Sequence, residues 1–408
     1  MKIIVVFILF FLFLLYIFRI FTHFCLFFTY FFLLRFSGFN DEWYEFKLND
    51  ISERITRKNK KLETNRPLTI SAQYGLVDQI EYFDKIVASD SLINYYLLYN
   101  GEFAYNKSYS NGYPFGAVKR LDNYEHGAIS TLYICFKVTD KMNSDFLNEY
   151  FETDKWYKEI YKIAVEGARN HGLLNIAVGD FFNTKHILPT NPKEQEKLAK
   201  FFIEINRKIG LLEKKHQAFL DFKKYLMQQI FTQKLRFDFN IIKLNDICDI
   251  NKGKQLNKEN MVNFGEYYVL NGGKEPSGYT NSWNTPANTI TISEGGNSCG
   301  YVNFNEEKFW SGGHCYYLSN LSSKIDLYYL YSYLKFIEPS IMRLRVGSGL
   351  PNIQKGDIEN IKVKTLPINE QIKIRNVLRI IDKKISTLKV QKEHFEVFKK
   401  GLLQQMFV

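Results

Sequence analysis

The chain has 408 residues, a formal net charge of +11 and 16% aromatic residues. That length allows two or three domains with proper hydrophobic cores, and the basic excess favours nucleic acid or an anionic surface as a partner. The five cysteines are scattered and form no CxxC pair. This spacing disfavours a disulfide framework and a zinc site, and indicates reduced, buried thiols in a cytoplasmic protein.

The chain begins with an unusual apolar segment. Residues 3–18 are unbroken apolar sequence rich in Phe, and the pattern resumes after Arg19. Sixteen residues fall short of the ~20 that a membrane-spanning helix needs, and no small-residue cleavage site for a signal peptide is evident. Two interpretations stay open for residues 1–33: a membrane anchor, or a non-native extension translated from T-rich upstream DNA, which we favour.

The rest of the chain reads as two similar halves. Residues 47–51 recur identically at 243–247, and residues 194–231 align without a gap to residues 370–407, with fifteen of 38 positions identical. Unrelated sequence of ordinary composition gives about two identities over that length. Each copy ends a longer unit, so the sequence predicts a duplicated framework around two divergent inserts.

The two repeated segments are helical by periodicity. Their apolar residues recur at spacings of three and four, which is typical of a coiled-coil seam. Mutual pairing of the two helices is the favoured interpretation, and two unrelated surface helices are the alternative. The predicted seam comprises Phe202, Ile205, Ile209, Leu212, Phe219, Leu226, Ile230, Leu378, Ile381, Ile385, Leu388, Phe395, Leu402 and Met406.

The inserts have the pattern of mixed, strand-rich domains. Alternating residues predict strands at 130–138, Thr289–Ser293 and 313–318, with helices near 143–151 and 156–166. The sequence predicts five segments: an extension at 1–33, a first domain at 34–189, a first helix at 190–234, a second domain at 235–367 and a second helix at 368–408.

The sequence contains no recognisable set of catalytic residues. It supports nucleic-acid binding better than it supports an enzymatic activity. Phosphate-loop, GxSxG and HExxH motifs are missing. Cations cluster at matched places in both halves, and amides and tyrosines follow them; solvated charged loops are the alternative explanation. The predicted contacts are Arg54, Arg57, Lys58, Lys60, Lys61, Lys107, Tyr109, Asn111, Tyr113, Lys119, Arg120, Arg169, Asn170, Lys252, Lys254, Lys258, Asn271, Lys274, Tyr279, Asn281, Asn297, Arg343, Arg345, Ser348 and Asn352.

Several strings resemble the specificity subunit of Type I restriction-modification enzymes. They are LRFSGF at residues 34–39 with Trp43, FAYNKSYSNGYPFGAVKRL at 103–121, LNGG at 270–273 and GSGLPNI at 347–353. Both helices, which open at Glu-Gln and close on Gln-Gln-x-Phe, match as well. The resemblance covers residue 34 to the end, and the Phe-rich start departs from it.

The resemblance implies a non-catalytic subunit of α+β class that reads double-stranded DNA. Two target recognition domains, each reading one half of a bipartite, asymmetric site, are separated by the two helices, which pair as an antiparallel coiled coil with internal pseudo-two-fold symmetry. The subunit itself is expected to be monomeric and cytoplasmic, without metal or cofactor. It docks two modification (methyltransferase) subunits that use S-adenosylmethionine, and a restriction subunit brings ATP-driven cleavage. A membrane-tethered coiled-coil scaffold is the alternative from another class.

Overall fold

The chain forms two compact units. A computed structural model describes residues 34–83, 91–110, 112–164, 174–232, 238–347, 349 and 351–407. The first unit comprises Met1–Gly210 with Glu393–Val408, and the second comprises Leu211–Lys392. Both units mix helices and strands, so the predicted α+β class is confirmed. The extension predicted at residues 1–33 lies outside the described residues.

The described part of the first unit contains three sheets and five short helices. Its strands are β1 Tyr44–Lys47, β2 Ser52–Arg54, β3 Pro67–Ser71, β4 Gly75–Asp78, β5 Tyr96–Tyr99, β6 Phe103–Asn106, β7 Ala117–Arg120, β8 His126–Ile129, β9 Ile134–Val138 and β10 Lys185–Leu188. Its short helices are α1 Leu48–Ile51, α2 Gln79–Phe83, α3 Ser144–Tyr150, α4 Tyr157–Ile163 and α5 Val178–Phe182. The sheets have the orders β1-β10, β2-β9-β6-β7 and β4-β3-β8-β5.

The described part of the second unit also has three sheets. Its strands are β11 Asn240–Lys243, β12 Asp249–Lys252, β13 Tyr267–Leu270, β14 Gly278–Thr280, β15 Thr289–Ser293, β16 Val302–Asn305, β17 Trp310–Ser311, β18 Cys315–Ser319 and β19 Lys362–Thr365. The long helices that begin in one unit and end in the other are α6 Pro192–Phe231 and α10 Ile368–Met406. The remaining helices are α7 Leu327–Phe336, α8 Glu338–Met342 and α9 Lys355–Glu359, with 3-10 turns at Leu244–Asp246 and Lys258–Asn260.

The two units share one strand topology. The antiparallel order β2-β9-β6-β7 in the first is matched by β12-β18-β15-β16 in the second, and the pair β1-β10 by β11-β19. A further sheet also corresponds, because β3 pairs antiparallel with β4 and parallel with β8, as β13 does with β14 and β17. The internal repeat is therefore confirmed, and it extends into the inserts that differ in sequence.

Contacts within each unit align the two long helices antiparallel. In the second unit Lys223 pairs with Asp382 at 2.6 Å, and Glu213 pairs with Lys392. From the first pair to the second, the residue number falls from 223 to 213 on α6 and rises from 382 to 392 on α10. The two helices therefore run antiparallel. In the first unit the rings of Phe202 and Phe407 lie 5.7 Å apart, so the start of α6 packs against the end of α10.

The long helices bury one face and leave apolar residues on another. All fourteen predicted seam side chains are buried or half-buried. Apolar side chains are also exposed along both helices, namely Ile203, Leu211, Leu220, Phe222, Tyr225, Val377, Ile380, Val390, Val397 and Phe398. These exposed apolar residues lie outside the predicted seam on both helices.

One predicted strand is shorter than expected. Residues 130–138 have an alternating pattern, yet the strand begins only at Ile134. The hydroxyl of Ser130 accepts the backbone N–H of Leu132 at 3.3 Å, and its carbonyl accepts the N–H of Tyr133 at 3.2 Å. These two bonds form a local turn that competes with the sheet, which explains the difference.

Candidate nucleic-acid interface

Some cations of the first predicted cluster are exposed, and others are held by contacts within the protein. Arg54, Lys60 and Lys61 are exposed. Arg57 pairs with Glu102 at 2.7 Å and also donates to a backbone carbonyl at 3.0 Å. Lys58 donates to the carbonyl of residue 94 at 2.9 Å and lies over an aromatic ring at 4.1 Å. The three exposed cations are therefore the ones in this cluster most available to a polyanion.

Two further cations of the first unit are held inside it. Lys119 is only 6% exposed and its ammonium lies 2.5 Å from Glu152. Arg120 contacts Asp122 at 2.6 Å and Asp145 at 2.7 Å. Direct contact of either cation with DNA requires these ion pairs to open.

The other predicted contacts of the first unit lie on one loop. Lys107 and Ser108 follow strand β6, and Tyr109 is 61% exposed. The hydroxyl of Tyr113 donates to Glu152 at 3.3 Å. The predicted contacts that fall outside the described residues are Asn111, Arg169, Asn170 and Ser348.

In the second unit a buried carboxylate brings together side chains from separate segments, among them the predicted contact Lys252. Glu294, 5% exposed, follows strand β15. Its Oε1 accepts the ammonium of Lys252 at 2.6 Å and the hydroxyl of Tyr316 at 3.1 Å. The Nδ1 atom of His314 lies 3.6 Å from Oε2. We call these four residues the Glu294 cluster.

Backbone contacts fix the Glu294 cluster in place. The N–H of Glu294 donates to the carbonyl of His314 at 3.0 Å, and its carbonyl accepts the N–H of Ile353 at 2.9 Å. The N–H of His314 donates to the side chain of Asn271, also a predicted contact, at 3.2 Å. Gly272 has a φ of +84°, and a Cβ there would lie 2.6 Å from the carbonyl oxygen of His314. Only glycine therefore fits this approach.

The surroundings of the Glu294 cluster keep the hydroxyl of Tyr316 neutral. Burial is the larger cause and the carboxylate of Glu294 the smaller one, and together they raise the pKa of Tyr316 to about 12. Its hydroxyl therefore keeps the proton that it donates. Lys252, whose side chain is 53% exposed, supplies one positive charge against the one negative charge of Glu294. The cluster thus pairs one cation with one carboxylate, and the side chain of its histidine is exposed.

The remaining predicted contacts of the second unit lie around the cluster and on the neighbouring small sheet. Lys274 lies 5.4 Å from the ring of Tyr301, and Asn281 accepts the N–H of Glu266 at 3.4 Å. Arg343 donates to a serine hydroxyl at 3.0 Å. The other members, which are exposed or half-exposed, are Lys254, Lys258, Tyr279, Asn297, Arg345 and Asn352.

Comparison with known proteins shows what this chain resembles. The profile of the "Type I restriction modification DNA specificity domain" matches residues 237–395. A protein of Mycoplasma genitalium named as a type I specificity subunit is 34% identical over 163 residues, which are 38% of this chain and 42% of that protein. The chain is therefore similar to type I specificity subunits over these segments. A Mycoplasma pneumoniae protein named in the same way is 35% identical over 147 residues, covering 36% of this chain and 39% of its own length.

A solved specificity subunit shares the fold over nearly the whole chain. The crystal structure of a Type-I restriction-modification system S subunit from M. genitalium covers 91% of this chain and 98% of its own, with a TM-score of 0.63 and 17% identity. By sequence, the chain spans only about two fifths of the length of the curated relatives it matches first. These matches give no support to the membrane-tethered scaffold.

Sequence reasoning missed three members of the Glu294 cluster. Glu294, His314 and Tyr316 were not among the predicted contacts, because a specificity subunit is expected to meet DNA with cations and amides. Their contacts follow only from the pairing of β12, β15 and β18. This pairing brings Lys252 to Glu294, although 42 positions separate the two residues. A polar residue directly after a buried strand, as Glu294 follows β15, is the one sequence signal available.

Among the residues that the structure describes, no helix combines the length and the apolar character needed to cross a membrane.

Proposed function

We propose that this chain is the DNA sequence-recognition subunit of a Type I restriction-modification system. The observation that carries the proposal is the duplication of one strand topology around different polar residues. Two copies of one scaffold with different side chains suit a protein that reads two unlike half-sites. The match of residues 237–395 to the specificity-domain profile and the similarity to named type I specificity subunits support the same conclusion.

In this proposal the chain is not itself catalytic and works in the cytoplasm as a monomer with internal symmetry. Two methyltransferase subunits supply S-adenosylmethionine-dependent methylation, and a restriction subunit joins through them with its ATP-driven activity. Cations such as Arg54 and Lys60 provide affinity for phosphate without sequence information, whereas the Glu294 cluster and nearby amides face base edges.

The exposed apolar side chains of the two long helices are the proposed docking surface for the methyltransferase subunits. Val397 is 72% exposed and Phe398 is 53% exposed on α10. Leaving such side chains in water is unfavourable, and covering them stabilises an assembly by about 25 cal/mol per Å² of apolar surface.

The experiment is to co-purify the full chain with a candidate modification subunit and to map methylation on random DNA by single-molecule sequencing. The expected result is a stable complex that methylates adenine in a split, asymmetric motif. Val397→Lys is expected to weaken assembly, whereas Gln391→Lys, at an exposed polar position of the same helix, is the matched control. A folded chain that forms no complex, or a complex without sequence preference, would contradict the proposal.

A further inference from the structure

The carboxylate of Glu294 has one oxygen that the protein leaves unused. Its Oε1 atom is satisfied by Lys252 and Tyr316, at 2.6 and 3.1 Å. Its Oε2 atom is buried and has no hydrogen-bond partner within the described part of the chain. Nδ1 of His314 lies 3.6 Å from this oxygen, just beyond hydrogen-bond distance. A buried carboxylate oxygen needs a donor, and an N–H on Nδ1 can supply one after a small shift of the exposed ring.

The contacts of Glu294 determine which edge of His314 faces it. Lys252 and Tyr316 occupy Oε1, and Nδ1 of His314 lies on the side of Oε2. This geometry suits the tautomer that carries its proton on Nδ1, directed at Glu294. In that tautomer Nε2 carries a free lone pair and acts as a hydrogen-bond acceptor.

His314 presents an exposed imidazole on a backbone that is held by hydrogen bonds. The side chain is 63% exposed, while its backbone N–H and carbonyl are fixed by Asn271 and Glu294. A preorganised acceptor at the surface of a DNA-reading unit discriminates between bases, because in the major groove only adenine N6 and cytosine N4 present hydrogen-bond donors.

We infer that His314 is a specificity-determining residue that accepts a hydrogen bond from the exocyclic amino group of adenine or cytosine, and that Glu294 is its positioning residue. The inference rests on the proposed function, since it assigns one base contact within the second recognition unit. Lys252 remains partly exposed beside the ring and adds a positive charge near the same base or its phosphate.

The first unit has different chemistry at the same place. The carbonyl of Lys107 accepts the N–H of Leu174 at 3.0 Å, as that of Glu294 accepts the N–H of Ile353. Each of these two residues lies two positions beyond a strand residue that pairs across the equivalent sheet, Tyr105 with Ile134 and Ile292 with Tyr316.

The same register sets Leu132 against His314. Leu132 lies two residues before Ile134, as His314 lies two residues before Tyr316, and it is 74% exposed. The first unit therefore places a lysine and a leucine where the second has a carboxylate and an imidazole. It has no acceptor at these two positions, so the two units read their half-sites with different groups.

The test is selection of bound duplexes from a random library by the full chain, comparing the wild type with His314→Ala, His314→Gln and Glu294→Gln. The wild type is expected to require adenine or cytosine at one position of one half-site. His314→Ala is expected to reduce that preference about tenfold at that position alone. His314→Gln retains an acceptor oxygen and is expected to keep much of the preference, while Glu294→Gln, which frees the ring to change tautomer, relaxes the same position.

Base analogues then show whether the amino group belongs to adenine or to cytosine. A purine lacking the 6-amino group, or a pyrimidinone lacking the 4-amino group, is placed at the selected position. Only the analogue of the true base is expected to weaken wild-type binding, and it should leave the His314→Ala variant unaffected. Leu132→Ala is the matched control, because it changes the equivalent position of the first unit and should leave this half-site intact.

Three results would overturn the inference in distinguishable ways. An unchanged motif in His314→Ala shows that this side chain reads no base. Loss of all selectivity by a folded His314→Ala variant shows a structural role only. If the wild type itself selects no sequence, alone or with a modification subunit, the proposed function fails and this inference fails with it.

Discussion

The imidazole of His186 is a buried titratable group within the frame of the first unit. It is 2% exposed on β10, with the hydroxyl of Tyr150 3.0 Å from Nδ1 and that of Thr184 2.8 Å from Nε2. Burial lowers its pKa from 6.5 to about 4. Both ring nitrogens are engaged, so protonation breaks a hydrogen bond as well as burying a charge.

This buried histidine predicts acid sensitivity of the first unit. The folded pKa lies below the unfolded one, so the unfolded chain binds more protons between pH 6.5 and 4. The stability is fully present above pH 6.5, and about 3 kcal/mol of it is lost as the pH falls through 4. Urea unfolding followed by tryptophan fluorescence at pH 7 and pH 4.5 measures the loss. His186→Gln is expected to flatten this part of the profile, and equal slopes in both proteins would contradict the prediction.

The matched control for the histidine is His394→Gln. His394 is exposed on α10 and belongs to the same unit, so its replacement is expected to leave the pH profile unchanged. A flattened profile in this control shows that the loss of any histidine, rather than the buried one, changes the acid response.

At the scale of residues, sequence patterns predicted the cations and amides of the candidate interface but not their partners. Lys252 and Asn271 were predicted contacts, and the structure places both beside His314 and Glu294. A sequence does not reveal which cation is already paired, because pairing depends on strand register. Lys119 illustrates this, since its ion pair with Glu152 joins a strand residue to one 33 positions later.

At the scale of elements, a buried glutamine at the start of each long helix ties it to its unit. Gln195 accepts the N–H of Asn143, the N-cap of α3, at 2.8 Å. Gln371 accepts the N–H of Asp326, the N-cap of α7, at 2.9 Å. Both amides also donate to a backbone carbonyl just before the helix, at 2.8 and 2.6 Å. The glutamine of the Glu-Gln pair at the start of each long helix therefore fixes the helix to its unit by hydrogen bonds.

Replacing one of these glutamines is expected to destabilise its unit. Gln371 is fully buried, and its Nε2 also donates to the carbonyl of Lys324 at 3.0 Å. Gln371→Ala leaves several buried groups without partners, at a cost of about 2–4 kcal/mol. Chemical denaturation measures the change. Gln391→Ala, at an exposed position of the same helix, is the control and should stay within about 0.5 kcal/mol of the wild type. Equal effects of the two substitutions would show that these hydrogen bonds contribute nothing.

The sequence predicted elements well where they repeat and less well where they do not. The periodicity of residues 194–231 and 370–407 indicated both long helices, because fifteen identities in register leave little room for another structure. The inserts looked unlike one another, yet their sheets share one topology. Topology is set by which faces are buried and by chain order, and many different side chains meet those conditions.

At the scale of the whole molecule, a common scaffold with different polar groups predicts two different half-sites. Lys107 and Leu132 occupy in the first unit the places of Glu294 and His314 in the second. Leucine cannot accept a hydrogen bond at the place proposed for the His314 acceptor, so the two units are expected to select different bases there. Methylation mapping of the assembled complex is expected to give an asymmetric motif. A palindromic motif would contradict this expectation.

The length of the paired helices is expected to set the number of unread base pairs between the half-sites. Removing residues 213–219 and 386–392 deletes one heptad from each helix and keeps the seam in register. It also removes both partners of the Glu213–Lys392 ion pair together and retains the pair of Lys223 with Asp382. Seven residues correspond to about 10 Å of helix, or roughly three base pairs.

Methylation mapping of the complex containing the shortened chain measures the spacer directly. We expect the two half-sites to keep their sequences while the spacer between them becomes shorter by about three base pairs. Deleting the heptad from α6 alone is the control, because it leaves unmatched seam residues on α10 and should abolish assembly rather than shift the motif. A complex with both deletions that methylates the original spacer would show that the helices do not determine it.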